Sequence, residues 1–197
     1  MSDVDAYTLL AEKHGYRDSP RYRRVLEYLL TPQQARLAVE LPMPPEELAQ
    51  KVGMDVAAVT KELDDLYDKG VIFPKNFQTR EHYRFARSIM QLHDATQSAL
   101  SLDPVKDHAL YELWEEACNV DWYPDVAAAF AQAEKPMSRV IPAYQAIKDI
   151  PGVLPHENMR EILQAQELIA ICSCSCRKRA ESMGNKCERS HDKNCFQ

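Results

Sequence analysis

The chain has 197 residues, of which 45% are hydrophobic and 27% are charged, and its formal net charge is −6. These values are typical of a globular protein with one moderate core or two small ones, and an acidic chain is not expected to be held to nucleic acid by charge. No stretch approaches the ~20 apolar residues that cross a bilayer, and the N-terminal residues carry no cationic and apolar signal, so we expect a cytoplasmic protein without a membrane partner.

Two short helices are predicted ahead of residue 41. Pro20 can occupy the first turn of a helix, which Pro32 ends, and a second short helix follows at about residues 33–40. The first helix has an apolar stripe that we expect to pack against a matching stripe on a later helix. The core residues predicted in this way are Val25, Leu26, Leu29, Val59, Leu63 and Leu66.

A helix, a tight turn, a longer helix and a hairpin are predicted next. The prolines before Glu46 open one helix, and Gly53 ends it. Asp55 caps the next helix, which Gly70 stops, and the stretch VIFPKNFQTREHYRF after Gly70 is rich in β-forming residues around a polar turn. This order of elements is similar to a winged helix-turn-helix domain, which we place at residues 1–87.

The longer helix would be the DNA-reading helix of such a domain, and its charge argues against that role. Residues 55–69 hold five acids and two lysines, which gives a net charge of −3. A negative helix facing phosphates opposes the electrostatic attraction that supplies most non-specific affinity. The arginines that argue the other way are Arg21, Arg23, Arg24, Arg80, Arg84 and Arg87. We therefore do not expect DNA as a partner, and we expect the domain to act as a scaffold or docking module.

Three further helices are predicted in the middle of the chain, from Phe85 to about Leu100, from Asp103 to Cys118 and from Trp122 to Lys135. Prolines mark the predicted breaks, and they are Pro104, Pro124 and Pro136. We interpret Cys118 as a small buried hydrophobic residue. Residues 88–137 are predicted to be a helical connecting region.

The last predicted region, residues 138–197, is a small α/β segment. It contains a β-like stretch SRVIPAY, a turn, a helix HENMREILQAQ and a second β-like stretch ELIAICSC. The fold class predicted from the whole chain is mainly α. A winged helix-turn-helix domain is followed by a helical domain, with a small β element that leads to a cysteine-rich tail.

Five of the six cysteines lie in this tail, and they are Cys172, Cys174, Cys176, Cys187 and Cys195. In a cytosolic chain, a local group of cysteines is more typical of a metal, cluster or redox site than of disulfides. The first three alternate by two, so an extended backbone would direct them to one side. The loops to the other two close at modest entropic cost. Soft sulfur ligands favour zinc or an iron–sulfur cluster.

The tail is basic although the chain is acidic. Residues 171–197 hold six lysines and arginines and three acids, which gives a net charge of +3. Positive surroundings would stabilise an anionic thiolate centre. The paired CxxC spacing that is typical of zinc does not occur, which favours iron–sulfur and leaves zinc as the alternative. His191 could replace one thiolate, or it could be an ordinary surface histidine of the loop.

A series of short motifs ends the chain: VIP at 140–142, LPHE at 154–157, CSCR at 174–177, a lone cysteine at 187 and CFQ at 195–197. The series resembles ferredoxin-type 4Fe-4S proteins that carry an N-terminal winged helix. The resemblance implies a 4Fe-4S cluster whose ligands are Cys174, Cys176, Cys187 and Cys195, with Cys172 as an extra candidate ligand. Members of that family usually continue into ferredoxin repeats, so we expect this chain to be the leading part of a longer protein.

The function predicted from these features is that of an iron–sulfur binding protein in electron transfer or a related redox process. The expected partners are a redox protein or further ferredoxin domains. We expect no catalysis from this chain on its own, although it could be one component of an oxidoreductase system. The alternative is a winged-helix transcription regulator whose cysteines sense redox state or hold zinc.

Overall fold

The computed structural model describes residues 5–135, 144–152, 159–192 and 195–196. The protein is mainly helical and has small two-stranded sheets, which confirms the predicted mainly α class. No helix within the described ranges is long and apolar enough to span a bilayer.

The first part of the chain folds into short helices whose ends are set by capping residues. They are α1 (Ala6–Lys13), α2 (Pro20–Leu29), α3 (Pro32–Glu40), α4 (Pro45–Val52) and α5 (Val56–Asp68). Gly53 has a φ of +67°, which ends α4, and the carboxylate of Asp55 accepts from the backbone N–H of Ala58 at the start of α5. The predicted helix, turn and helix are therefore confirmed.

Helix α1 was not predicted from the sequence. The carboxylate of Asp5 accepts hydrogen bonds from the backbone N–H groups of Tyr7 and Thr8 and so caps this helix. Leu10 and Ala11 are its buried residues, and the helix packs against α2 and α3.

The hairpin predicted after Gly70 is present, although its strands are short. β1 (Ile72–Phe73) pairs antiparallel with β2 (Arg84–Phe85), with Ile72 opposite Phe85. A single antiparallel bridge joins Met43, just before α4, to Tyr83. The hairpin is thereby attached to the segment that leads into α4.

The helices of the middle region are α6 (Ile89–Ser98), α7 (His108–Ala117) and α8 (Tyr123–Gln132). The predicted break before Pro124 is wrong, because a π-helical turn at Cys118–Trp122 connects α7 to α8 without leaving the helical path. Proline cannot donate the backbone hydrogen bond that a continuous α-helix requires, and the wider turn accommodates it.

One apolar core runs from α1 to the π-helical turn. All six predicted core residues belong to it, and Leu63 is 0% exposed, which confirms that prediction. Tyr22 on α2 packs against Trp114 on α7, with ring centroids 6.0 Å apart, so the middle helices share this core. Cys118 is fully buried in it, as predicted. The division of the chain at residues 87 and 137 stays a prediction.

The C-terminal region contains α9 (Tyr144–Ile147), α10 (Met159–Gln164), β3 (Ile171–Cys172), α11 (Ser175–Ser182) and β4 (Cys195–Phe196). The predicted helix at 156–166 is present as α10, and its residues before 159 lie outside the described part. The β-like stretch at 138–144 also lies outside it, except for Tyr144, which begins α9. The second β-like stretch forms only β3.

Candidate metal centre in the cysteine-rich tail

Cys172 and Cys195 are direct cross-strand partners. In the antiparallel pair β3 and β4, Ile171 lies opposite Phe196 and Cys172 lies opposite Cys195. Residues opposite each other in such a pair have Cα atoms roughly 4.5–5.5 Å apart. Cys172, which lies outside the motif series, is therefore a neighbour of a predicted ligand.

Cys174 and Cys176 lie at the start of α11. Cys174 is the N-cap residue and is half-buried, and its side chain makes no capping hydrogen bond. Cys176 is in the first turn and is exposed.

The loop that carries Cys187 folds back onto the start of α11. Gly184, with a φ of +77°, follows the end of the helix and starts this loop. At the other end of the loop, the backbone N–H of Cys174 donates to the carbonyl oxygen of His191 at 2.7 Å. Arg177 adds a second link, because its Nη1 donates to the carbonyl oxygen of Ser190 at 3.1 Å. Cys187 is half-buried within the closed loop.

The alternative ligand His191 lies near two carboxylates. Its Nε2 lies 3.4 Å from Oε2 of Glu181, and its Nδ1 lies 3.2 Å from Oδ1 of Asp192. The imidazole therefore has carboxylate neighbours on both ring nitrogens.

The described cysteines form no disulfide bonds with one another, and their side chains do not form a complete metal site. Within the described ranges, no three side chains of His, Cys, Asp or Glu are placed to hold a metal ion. The side chain of Cys195 lies outside that part of the chain. Two backbone contacts join the ends of the cysteine-rich segment. Cys172 lies opposite Cys195 in the strand pair, and the backbone N–H of Cys174 donates to the carbonyl oxygen of His191.

Lys178, one of the basic residues of the tail, contacts the helical body instead of the cysteines. Its side chain is 4% exposed, and its Nζ donates to the carbonyl oxygens of Ala99 at 3.4 Å and Leu102 at 3.3 Å. Burial lowers the pKa of this ammonium group, which the carboxylate of Asp103 partly opposes. Lys178 anchors α11 at the C-terminal end of α6.

Arg179 is also directed into the body. Its Nε lies 3.0 Å from Oε2 of Glu115, and its Nη1 donates to Nε2 of His93 at 3.1 Å. Lys186 pairs with Glu181 at 3.0 Å. The net charge of +3 overstates the positive charge near the thiols, because Arg179 pairs with a carboxylate outside the tail and Lys178 is directed toward carbonyl oxygens outside it.

Hydroxyl groups complete the attachment of the tail. Ser98 Oγ donates to the carbonyl oxygen of Ser173 at 3.2 Å, and Ser182 Oγ donates to that of Pro104 at 2.9 Å. None of these partners was predicted, and no local sequence signal identifies them, because each pair is separated by more than 70 residues.

No protein-family model, curated protein or solved structure matches the chain. A function for the tail therefore has to be argued from its own thiols and from the contacts that position them.

Proposed function

We propose that the tail binds a 4Fe-4S cluster and that the protein acts in electron transfer or a related redox process. The observation that carries this proposal is the backbone register of Cys172 with Cys195, together with the hydrogen bond from Cys174 N–H to the carbonyl oxygen of His191. These contacts join the start and the end of a segment that holds five thiols. Four thiolates are the usual ligand set of such a cluster, which would store and release single electrons.

The proposed ligands are Cys174, Cys176, Cys187 and Cys195, and Cys172 is the fifth candidate. The donor chemistry fits the cluster, because soft sulfur ligands outnumber the four positions to be filled. The described thiols of the tail are exposed or half-buried, so iron and sulfide can reach them. The sixth cysteine, Cys118, is fully buried in the core and is not a candidate cluster ligand.

We further propose that residues 5–87 form a winged helix-turn-helix domain that serves as a scaffold or docking module. The order α4, turn, α5 and hairpin supports this proposal. The proposed partner is a redox protein or further ferredoxin domains, since an electron-transfer module needs a donor and an acceptor.

Four of the six arginines that would argue for DNA binding have acidic partners in this protein, namely Arg21, Arg23, Arg24 and Arg80. Arg23 pairs with Asp5 at 2.8 Å, and Arg24 pairs with Glu116. Arg80 in the hairpin lies 3.2 Å from Asp64 on α5. These pairs reduce the positive charge available to phosphates, which supports docking of protein over reading of DNA.

Anaerobic reconstitution with iron and sulfide tests the proposed cluster. We expect about four irons and four sulfides per chain, a broad absorption in the visible range and an electron paramagnetic resonance signal on reduction. Serine substitution of each of the four proposed ligands should lower the iron content. Cys118→Ala is the matched control, because it removes a thiol outside the tail, and it should leave the iron content unchanged.

Three results would contradict the proposal. They are binding of zinc in place of iron by the reconstituted protein, full iron retention after substitution of the proposed ligands, and equal iron loss in Cys118→Ala. Zinc binding joined to salt-dependent DNA binding would favour the transcription regulator instead.

A further inference from the structure

A concave pocket with a basic lining lies at the hairpin, away from the cysteine-rich tail. Its volume is about 490 Å³. The basic and aromatic residues that line it are Lys75, Phe77, His82, Arg84 and Arg87, and two prolines complete the wall. No acidic residue belongs to this lining, which consists wholly of described residues, although the chain as a whole has a net charge of −6.

Arg84 is held in place at the pocket by its neighbours. Its Nη1 donates to Oε1 of Gln91 at 3.0 Å and to the carbonyl oxygen of Phe85 at 3.2 Å, and its Cζ lies 5.1 Å from the ring centroid of Phe73. The same Gln91 oxygen accepts from the backbone N–H of Arg87 at 2.9 Å. Nε and Nη2 of Arg84 make no hydrogen bond to the described residues and can therefore donate hydrogen bonds to a ligand.

The positive charges of the two arginines are not offset by a carboxylate in the pocket. Burial, and then the nearby charge of Arg87, lower the pKa of Arg84. Gln91 holds the guanidinium group of Arg84 and the backbone of Arg87, and an anion bound between the two side chains would offset their like charges.

The hairpin turn fixes the outer wall of the pocket. The backbone N–H of Lys75 donates to the carbonyl oxygen of Glu81 at 3.0 Å, and that of Arg80 donates to the carbonyl oxygen of Asn76 at 2.8 Å. Arg80 and His82 adopt φ values of +50° and +48°, a conformation that non-glycine residues rarely take. The turn leaves the ring of Phe77 64% exposed at the edge of the pocket.

We propose that this pocket binds a nucleoside phosphate, with the phosphates on Arg84 and Arg87 and the base against Phe77. Guanidinium groups bind phosphate oxygens through paired hydrogen bonds, and an exposed aromatic ring stacks on a base. The volume lies within the range of small-ligand sites. Lys75 and His82 supply further donors at the rim.

A small ligand fits the charge distribution better than a long polyanion does. The neighbouring helix α5 is acidic, and its Asp64 pairs with Arg80 at the hairpin. A nucleic acid strand that follows the hairpin would meet these carboxylates, whereas a nucleotide confined to the pocket would not.

Isothermal titration calorimetry with ADP, inorganic pyrophosphate and adenosine tests the proposal at about 150 mM salt. We expect ADP to bind one to one with a Kd below about 1 mM, pyrophosphate to bind more weakly, and adenosine not to bind. Arg84→Gln and Arg87→Gln should each weaken ADP binding about tenfold or more. Phe77→Ala should weaken ADP binding and leave pyrophosphate binding unchanged.

Lys106→Gln is the matched control, because it removes an exposed positive charge outside the pocket, and it should bind ADP as the unchanged protein does. Arg87 and Phe77 are exposed, so their variants are expected to fold, which circular dichroism checks. The proposal is overturned if ADP shows no saturable binding, or if Lys106→Gln weakens ADP binding as much as the arginine variants do. It is also overturned by an oligonucleotide that binds more tightly than ADP and loses affinity in the same variants. The test does not depend on the cluster.

Discussion

Nε2 of His93 accepts a hydrogen bond from Nη1 of Arg179 at 3.1 Å, which joins α6 to α11, the helix that contains Cys176. A guanidinium group can only donate, so this ring nitrogen is unprotonated. The proton of the neutral ring is therefore on Nδ1, which donates to Oδ1 of Asp94 at 2.8 Å. The ring is 3% exposed and packs edge-on against Trp114 and Trp122.

Protonation of His93 is predicted to destabilise the fold. Burial is the main cause that lowers the pKa of His93, and the charge of Arg179 adds to it, while Asp94 and Glu115 oppose it. The unfolded chain, with a histidine pKa of about 6.5, therefore binds the proton first as the pH falls. The stability due to the neutral ring is present above about pH 6.5 and is lost as the pH falls toward the folded pKa.

Urea unfolding measured between about pH 7.5 and about pH 5.5 checks this prediction. His93→Gln should lose less of its free energy of unfolding than the unchanged protein as the pH falls. Part of the pH dependence that remains in this variant is due to His14, whose pKa is also lowered by burial. His82→Gln is the control, because that ring is exposed. Equal slopes in His93→Gln and the unchanged protein would contradict the prediction.

Leu63→Ala is predicted to lower the free energy of unfolding by about 2–5 kcal/mol. Leu63 is fully buried on α5, so its removal leaves a cavity in the shared core. Val56→Ala on the same helix is the control, because Val56 is 41% exposed, and its effect should be within about 0.5 kcal/mol. Denaturant titration measures both, and a similar loss in the two variants would refute the packing described for α5.

Lys178→Met is predicted to loosen α11. The change removes the donor for the carbonyl oxygens of Ala99 and Leu102, and a buried acceptor left without its partner costs about 1–3 kcal/mol. Hydrogen exchange of residues 175–182 should become faster. Lys186→Met removes an exposed ion pair with Glu181, which is worth about 0–1 kcal/mol, and should have little effect. Unchanged exchange in Lys178→Met would show that this contact does not anchor the helix.

The thiols are predicted to differ strongly in alkylation rate when no cluster is bound. Burial raises the pKa of the Cys118 thiol to about 12, so this residue has almost no thiolate and no access to reagent. Cys176 is exposed and should react first with iodoacetamide. Peptide mass spectrometry at about pH 8 measures both rates, and denaturant should remove the difference. Equal rates in the folded protein would place Cys118 outside the core.

The cysteines of the candidate site could be identified from the sequence, but their arrangement could not. The sequence identifies five thiols in the tail, four of them in the motif series, whereas the register of Cys172 with Cys195 depends on how β4 returns to β3. The positive charge of the tail could be counted, yet the partners of Lys178 and Arg179 lie more than 60 residues away. Those contacts depend on how α11 packs on α6 and α7.

The sequence by itself determined the helix, turn and helix around Gly53, the hairpin after Gly70 and the buried stripe that includes Leu63. These features follow from local rules, namely capping, the left-handed conformation of glycine and helical periodicity. Only the tertiary structure decided the π-helical turn before Pro124 and the roles of the basic residues in the tail. The physical reason is that ion pairs, hydrogen bonds and ring contacts between distant segments form only after the core has brought those segments together.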